Sequence, residues 1–151
     1  MAPRPVPLLV VVAALFLSGF AGLAKPSEAS AGTPTRAEKI LIRAVNYART
    51  SRGYRRLYVG STLQSGAHRW ASYLLAKNAF YHGRLESGVR ENIAWVTCRR
   101  GWQRTIVNMW LNSWAHRVAL LDPSARRIGV GVATGRWSGY RCVRMAVARF
   151  R

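Results

Sequence analysis

The chain has 151 residues, 24 of them Lys or Arg against five Asp or Glu, for a net charge of +19 at pH 7. That length holds one domain at most. So few carboxylates leave little room for paired-acid chemistry, and the excess of bases draws the protein toward anionic polymers, phospholipid headgroups and, without specificity, nucleic acid.

The first segment reads as an export signal. Residues 1–7 carry a single charge, Arg4, and are followed by the apolar run LLVVVAALFL and then small residues up to Ala24. Small residues at the −3 and −1 positions suit signal peptidase, which places the cut after Ala24. Ala31 closes a second small-residue site. An uncleaved anchor is the alternative, because Val6 to Ala24 is 19 residues without a charge, near the length that spans a bilayer. Pro7 and the small-residue end favour cleavage. No cysteine lies near the cut, which argues against a lipoprotein. Losing residues 1–24, with one base and no acid, leaves 127 residues and lowers the net charge from +19 to +18. The expected product is secreted, with a small, polar, flexible leader at 25–34 and a folded domain at 35–151.

The domain opens on Thr35-Arg-Ala-Glu38, a capping box in which hydroxyl and carboxylate each take a free amide of the first turn. Leu41, Ala44, Val45 and Ala48 follow at helical spacing and predict a helix over about 36–51, stopped by Gly53. A second helix is predicted over 61–78, with Leu63, Ala67, Trp70, Ala71 and Leu74 on its apolar face. His68 sits beside that face with no acid or second histidine at helical spacing. Ser65 and His68 make a weak pair with no third member. Residues 79–102 read as irregular, punctuated by Gly83, Gly88 and Gly101. A third helix is predicted over 103–113, a turn at Asp122-Pro123-Ser124, and two antiparallel strands over 127–134 and 140–150. Three helices around a glycine-rich middle, ending in a hairpin, make an α+β domain.

Cys98 and Cys142 are the only cysteines. In an exported chain an even count points to one disulfide, with two free thiols as the alternative. The bond would close a loop of 44 residues, worth roughly 3–4 kcal/mol in the chain-entropy account. Two cysteines so far apart make no zinc ribbon.

The candidate chemistry is concentrated in FYHGRLESGVRENIAW, residues 80–95. It holds His82 and two of the five acids, Glu86 and Glu91. Histidine and glutamate form a metal site or a proton-transfer pair when a fold brings them together, although one His and one Glu nine residues apart is a weak signal by itself. Asp122 is a turn residue, and Glu86 a solvated loop charge paired with Arg84 or Arg90. His82 and His116 are placed in the non-helical stretches that flank the third helix.

Five blocks occur in one order: Leu63…Ala67…Trp70-Ala71; Phe80-Tyr81-His82; RENIA at 90–94; VNMWLNSWAHR at 107–117; and IGVGVA at 128–133. In this pattern the chain resembles the CAP superfamily of cysteine-rich secretory, antigen 5 and pathogenesis-related proteins, and is most similar to its short, bacterial, secreted SCP-like branch. The resemblance covers about 36–150. It implies an α-β-α sandwich with a cleft that gathers two histidines and two acids, a set that in some members binds a divalent cation. Carried over, His82 is the first histidine, Glu91 the acid of the ENI motif and His116 the second histidine. Ser113 stands where longer members have the second acid, which weakens metal binding. Trp114-Ala115 replaces the Pro-Gly usual in bacterial relatives, placing an indole at the cleft mouth. The expected cleft is His82, Glu91, His116, Ser113 and Asn92, with His82, His116 and Glu91 as ligands to a cation such as zinc. Glu91 and Asn92 have equally an architectural reading, holding loop amides and the turn.

Three functions follow as expectations. The first is a non-catalytic ligand-binding module outside the cell, for an envelope polymer, a lipid or a sterol. The second is a secreted, protease-like hydrolase using the same cleft, with Ser113 as nucleophile; the acids are badly placed for a glycosidase. The third is a cationic binder of anionic surfaces, using Arg99-Arg100, Arg126-Arg127 and the arginines from Arg141 to Arg151, with Trp102 and Trp137 at the interface.

Overall fold

A computed structural model describes residues 32–151. The expected export signal, both cleavage sites and most of the leader lie outside the described residues. The elements run α1 (Arg36–Thr50), β1 (Tyr58–Val59), α2 (Ser61–Ala76), β2 (Arg90–Thr97), α3 (Trp102–Asn112), α4 (Trp114–Leu120), β3 (Arg127–Trp137) and β4 (Tyr140–Phe150). No helix among the described residues is long and apolar enough to cross a membrane.

The capping box forms as the sequence predicts. Thr35 N–H donates to Glu38 Oε2 at 2.7 Å, and Glu38 N–H donates to the Thr35 hydroxyl at 3.4 Å. The predicted helices 36–51, 61–78 and 103–113 are observed within two residues at each end; in the closing hairpin the strand 140–150 is as predicted, while the strand predicted over 127–134 runs on to Trp137, so that the turn is shorter than expected. Its two-residue turn, Ser138-Gly139, has both residues at positive φ, 46° and 81°, which matches the twist of the flanking strands.

Two expectations are corrected. The stretch 79–102 is not irregular throughout, because Arg90–Thr97 is a full strand. Its side chains are buried on both faces from Glu91 to Ala94, so the polar-apolar alternation that marks a half-buried strand is missing. His116 is not in a loop but on α4, a seven-residue helix started at Ser113; so short an element lacks a readable period.

The sheet order is β1-β3-β4-β2, with β1 parallel to β3 and the remaining pairs antiparallel. Helix α2 covers one face, and α1, α3 and α4 cover the other, which is the expected three-layer α-β-α arrangement. Two cores result. Leu41, Val45, Ile106, Trp110, Leu120 and Phe150 belong to the larger one, on the three-helix side. Ala67, Ala71, Leu74, Ile93, Met145 and Val147 form the smaller one under α2. The glycines of IGVGVA are explained by α2. A Cβ on Gly129 would lie 2.0 Å from the Leu63 carbonyl carbon, and one on Gly131 would lie 2.0 Å from the Ala67 carbonyl oxygen. The helix backbone rests directly on β3 at the two positions that have no side chain.

Cys98 and Cys142 are joined in a disulfide, as expected. It links the residue after β2 to the start of β4.

Candidate functional site

The site lies at the β2 edge of the sheet. In a strand, successive side chains point to opposite faces. Glu91 therefore faces the α2 layer and Asn92 faces the α3/α4 layer. Each fastens one of the two histidines. Glu91 Oε1 contacts His82 Nδ1 at 3.1 Å and accepts the Gly83 N–H at 2.9 Å. Asn92 Nδ2 donates to the His116 backbone carbonyl at 2.8 Å. The two imidazoles then face each other across the edge, ring centroids 6.0 Å apart and planes tilted by 49°.

Glu91 is buried, and its second oxygen is also engaged. Arg149, its register partner on β4, donates from Nε to Oε2 at 2.9 Å. The guanidinium runs under α2, where Gly66 and Gly83 leave room for it; a Cβ on Gly66 would sit 2.6 Å from Arg149 Nη1. The carboxylate thus closes the 82–83 loop, neutralises a largely buried arginine and orients the His82 ring, holding its Nδ1 and leaving Nε2 for the cleft. His116 is half-buried, and its pKa is lowered from the ordinary 6.5 by burial first and by the neighbouring His82 second.

Contacts connect four of the sequence-predicted cleft residues, His82, Glu91, Asn92 and His116, and none among the described residues joins Ser113 to them. Ser113 is the junction between α3 and α4. Its N–H donates to Met109 O at 3.2 Å and its carbonyl accepts the Arg117 N–H at 2.8 Å. No hydrogen bond joins its hydroxyl to either imidazole among the described residues. Asn92 is fully buried, and its Oδ1 has no hydrogen-bond partner among the described residues. Trp114 is 73% exposed on α4.

No group of three His, Cys, Asp or Glu side chains arranged to hold a metal occurs among the described residues. Glu91 is committed to Gly83, His82 and Arg149. Two imidazoles remain.

The remaining predicted features sort plainly. Trp110 is in the core, with its indole donating to Ile93 O at 3.1 Å. Trp70 is only partly buried. Glu86 pairs with Arg151 at 3.6 Å rather than with Arg84 or Arg90. Arg90 pairs with Asp122 at 3.2 Å, and Asp122 also accepts from the Ser124 N–H at 2.8 Å, the turn contact expected of it. Trp102 is buried, with the Arg144 guanidinium 5.0 Å over its ring, so it is not available to an interface. The sequence reading missed the partner of His68. Its Nδ1 lies 2.7 Å from Oε1 of Glu38, 30 residues earlier. The signal was present in the scarcity of acids, but helical spacing cannot detect a pair made between two helices.

The cysteine-rich secretory protein (CAP) family profile matches residues 42–147. The chain belongs to this family. No curated protein matches by sequence. Among solved structures the CAP chain is similar to an outer surface protein from Borrelia burgdorferi, at 19% identity over 78% of this chain and 94% of that one, TM-score 0.57. It is similar to MpPR-1i at 19% identity over 78% of this chain and 88% of that one, TM-score 0.57. It is also similar to an extracellular SCP-domain protein from Bacillus anthracis at 17% identity, TM-score 0.58, over 79% of this chain and only 44% of that longer one. At these identities the likeness is one of fold.

Proposed function

We propose that this CAP domain is a secreted, non-catalytic ligand-binding module whose site is the His82–His116 edge cleft. One observation carries the reading: the cleft presents two facing imidazoles while its only carboxylate is spent on structure, Oε1 on Gly83 and His82 and Oε2 on Arg149. A hydrolase needs an activated nucleophile within hydrogen-bond reach of its base, and the Ser113 hydroxyl is not joined to the imidazoles. The His pair offers ring nitrogens to the oxygens of an envelope polymer or a lipid or sterol hydroxyl. A divalent cation such as zinc would meet two protein donors here and be held weakly. Export is supported by the leader sequence and by the disulfide.

The test compares the parent with His82→Ala, His116→Ala and Glu91→Gln. Zinc chloride is titrated calorimetrically; peptidoglycan, fatty acid and sterol are presented in pull-downs; peptide and glycan hydrolysis are assayed in parallel. The expected result is changed binding of at least one probe in both histidine variants with native circular dichroism. Unchanged binding of every probe removes the cleft as the site. Turnover by the parent that disappears in His116→Ala replaces the binding module with the hydrolase.

A further inference from the structure

A second surface, separate from the histidine cleft, is built from aromatic rings on the α2 side of the sheet. Trp70 stacks on Tyr73, with centroids 5.0 Å apart and planes 9° apart, and meets Tyr81 edge-on at 5.4 Å. The Tyr73 and Tyr81 hydroxyls are 3.2 Å apart. The next residue along, Phe80, packs edge-on against Trp137 at 6.3 Å. Trp95 then touches both Trp137, at 4.9 Å, and Tyr140, at 5.1 Å. The rings thus form two contact groups that adjoin in the chain at Phe80-Tyr81, and together they make a belt from beside His82 to the tip of the β3–β4 hairpin. The tip is docked on the end of α2 by the Ser138 N–H donating to Asn78 Oδ1 at 2.6 Å. Trp70, Trp95 and Trp137 are partly buried beneath the belt, whereas Tyr73, Phe80, Tyr81 and Tyr140 stand between 41% and 49% exposed. At the hairpin end, Arg136 and Arg141 line an open cavity of about 520 Å³ together with Trp137 and Tyr140.

The acids decide the sign of this surface. Four of the chain's five fall among the described residues. Glu38 and Glu91 are buried, Asp122 pairs with Arg90, and Glu86 pairs with Arg151. None of the four pairs with Arg136 or Arg141, which have no carboxylate partner among the described residues. Half-exposed aromatic rings with hydroxyl tips, rimmed by unpaired arginines, match the boundary between headgroup and acyl chain. There the ring leaves water, the hydroxyl stays wet and the guanidinium meets phosphate. A polyanion without bases, sugar rings or apolar groups would use the arginines and leave the rings idle.

We propose that this face seats the protein on an anionic lipid bilayer, with the hairpin tip and the 80–81 segment in the headgroup layer. The assignment is independent of the His82–His116 reading. The test is cosedimentation of the full chain, as recovered from its producing cell, with vesicles of mixed phosphatidylglycerol and phosphatidylcholine, against phosphatidylcholine alone. The parent is expected to bind the anionic vesicles and not the neutral ones. Reversing the rim with Arg136→Glu/Arg141→Glu should weaken binding at least about tenfold. The equal charge change at Arg99→Glu/Arg100→Glu, which line a different cavity with Trp102 and Arg144, should weaken it by less than half that factor. Phe80→Ser/Tyr140→Ser, at half-exposed positions, should also release the protein. Three results would overturn the proposal: no binding by the parent, equal loss in the two arginine pairs, or unchanged binding in Phe80→Ser/Tyr140→Ser with native circular dichroism. Failure here leaves the cleft reading intact, because the zinc and ligand titrations do not involve these residues.

Discussion

The two open edges of the sheet are finished with the same chemistry, to different ends. At the β3 edge, beyond the two-residue β1, Gln64 pairs with the backbone of Val130 like a missing strand, its Nε2 donating to Val130 O at 2.7 Å and its Oε1 accepting the Val130 N–H at 3.0 Å. Glu38 continues the edge, accepting from Gln64 Nε2 at 3.1 Å and from the Val132 N–H at 3.4 Å, and its Oε1 holds His68. At the β2 edge Glu91 holds His82 in the same Nδ1-to-Oε1 manner. Each buried acid therefore fixes a histidine ring. What differs is the company of the histidine. His68 meets no second imidazole, while His82 faces His116. A His–Glu pair alone is an edge closure; a second imidazole across from it makes a site.

The contrast can be broken most strongly at the acids. Glu38→Ala would strip a carboxylate from the Thr35 and Val132 amides, the Gln64 amide and His68 at once, and we expect a loss of about 3–5 kcal/mol in urea denaturation, since each orphaned buried group costs about 1–3 kcal/mol. Glu91→Ala leaves Arg149 without its partner but closer to solvent, and should cost about 2–3 kcal/mol. If Glu91→Ala proves the more damaging, the β2 edge is the structural clamp and the division of roles fails. Asn92→Ala removes the hold on the His116 carbonyl and should cost about 1–2 kcal/mol, measured the same way.

The histidines sharpen the comparison with smaller changes. His68→Ala, His82→Ala and His116→Ala should each change stability by about 1 kcal/mol or less, but only the latter two should alter ligand binding. An effect of His68→Ala on that binding would erase the distinction between the edges. The smallest effect is pH dependence. The folded, metal-free protein holds His116 with a pKa below its ordinary 6.5. The unfolded chain then binds the proton more readily, so this residue costs nothing well above pH 6.5 and subtracts stability as pH falls below it. The drop in urea midpoint between pH 7.5 and pH 5.5 should be larger in the parent than in His116→Gln.

Much of this was legible in the sequence because it was local. The capping box, the apolar face of α2, the alternation of the final hairpin and the blocks at 90–94, 107–117 and 128–133 each declare themselves within a dozen residues. Those blocks also named His82, Glu91, Asn92, Ser113 and His116, and contacts in the fold connect four of them, all but Ser113. What escaped was non-local or masked. β2 was hidden because Glu91 and Asn92, two polar residues in succession, are both buried, each facing its own layer. The Glu38–His68 pair spans two helices and has no period. Arg149 read as one of many surface cations, yet it is the internal partner of Glu91, a role only the β2–β4 register reveals.

That register has a keeper. The β2–β4 ladder runs from Arg90 opposite Phe150 to Thr97 opposite Val143, and Cys98 and Cys142 are the next pair in step, with the Cys98 N–H donating to Cys142 O at 3.1 Å. β2 is an edge strand with one neighbour, and sliding by a single residue would send Glu91 to the layer of Asn92 and Asn92 to that of Glu91. The disulfide forbids the slide. Besides limiting the unfolded chain's freedom, the bond works as an alignment pin: the oxidation that closes Cys98 to Cys142 also sets which imidazole each side chain holds, at the opposite end of the strand.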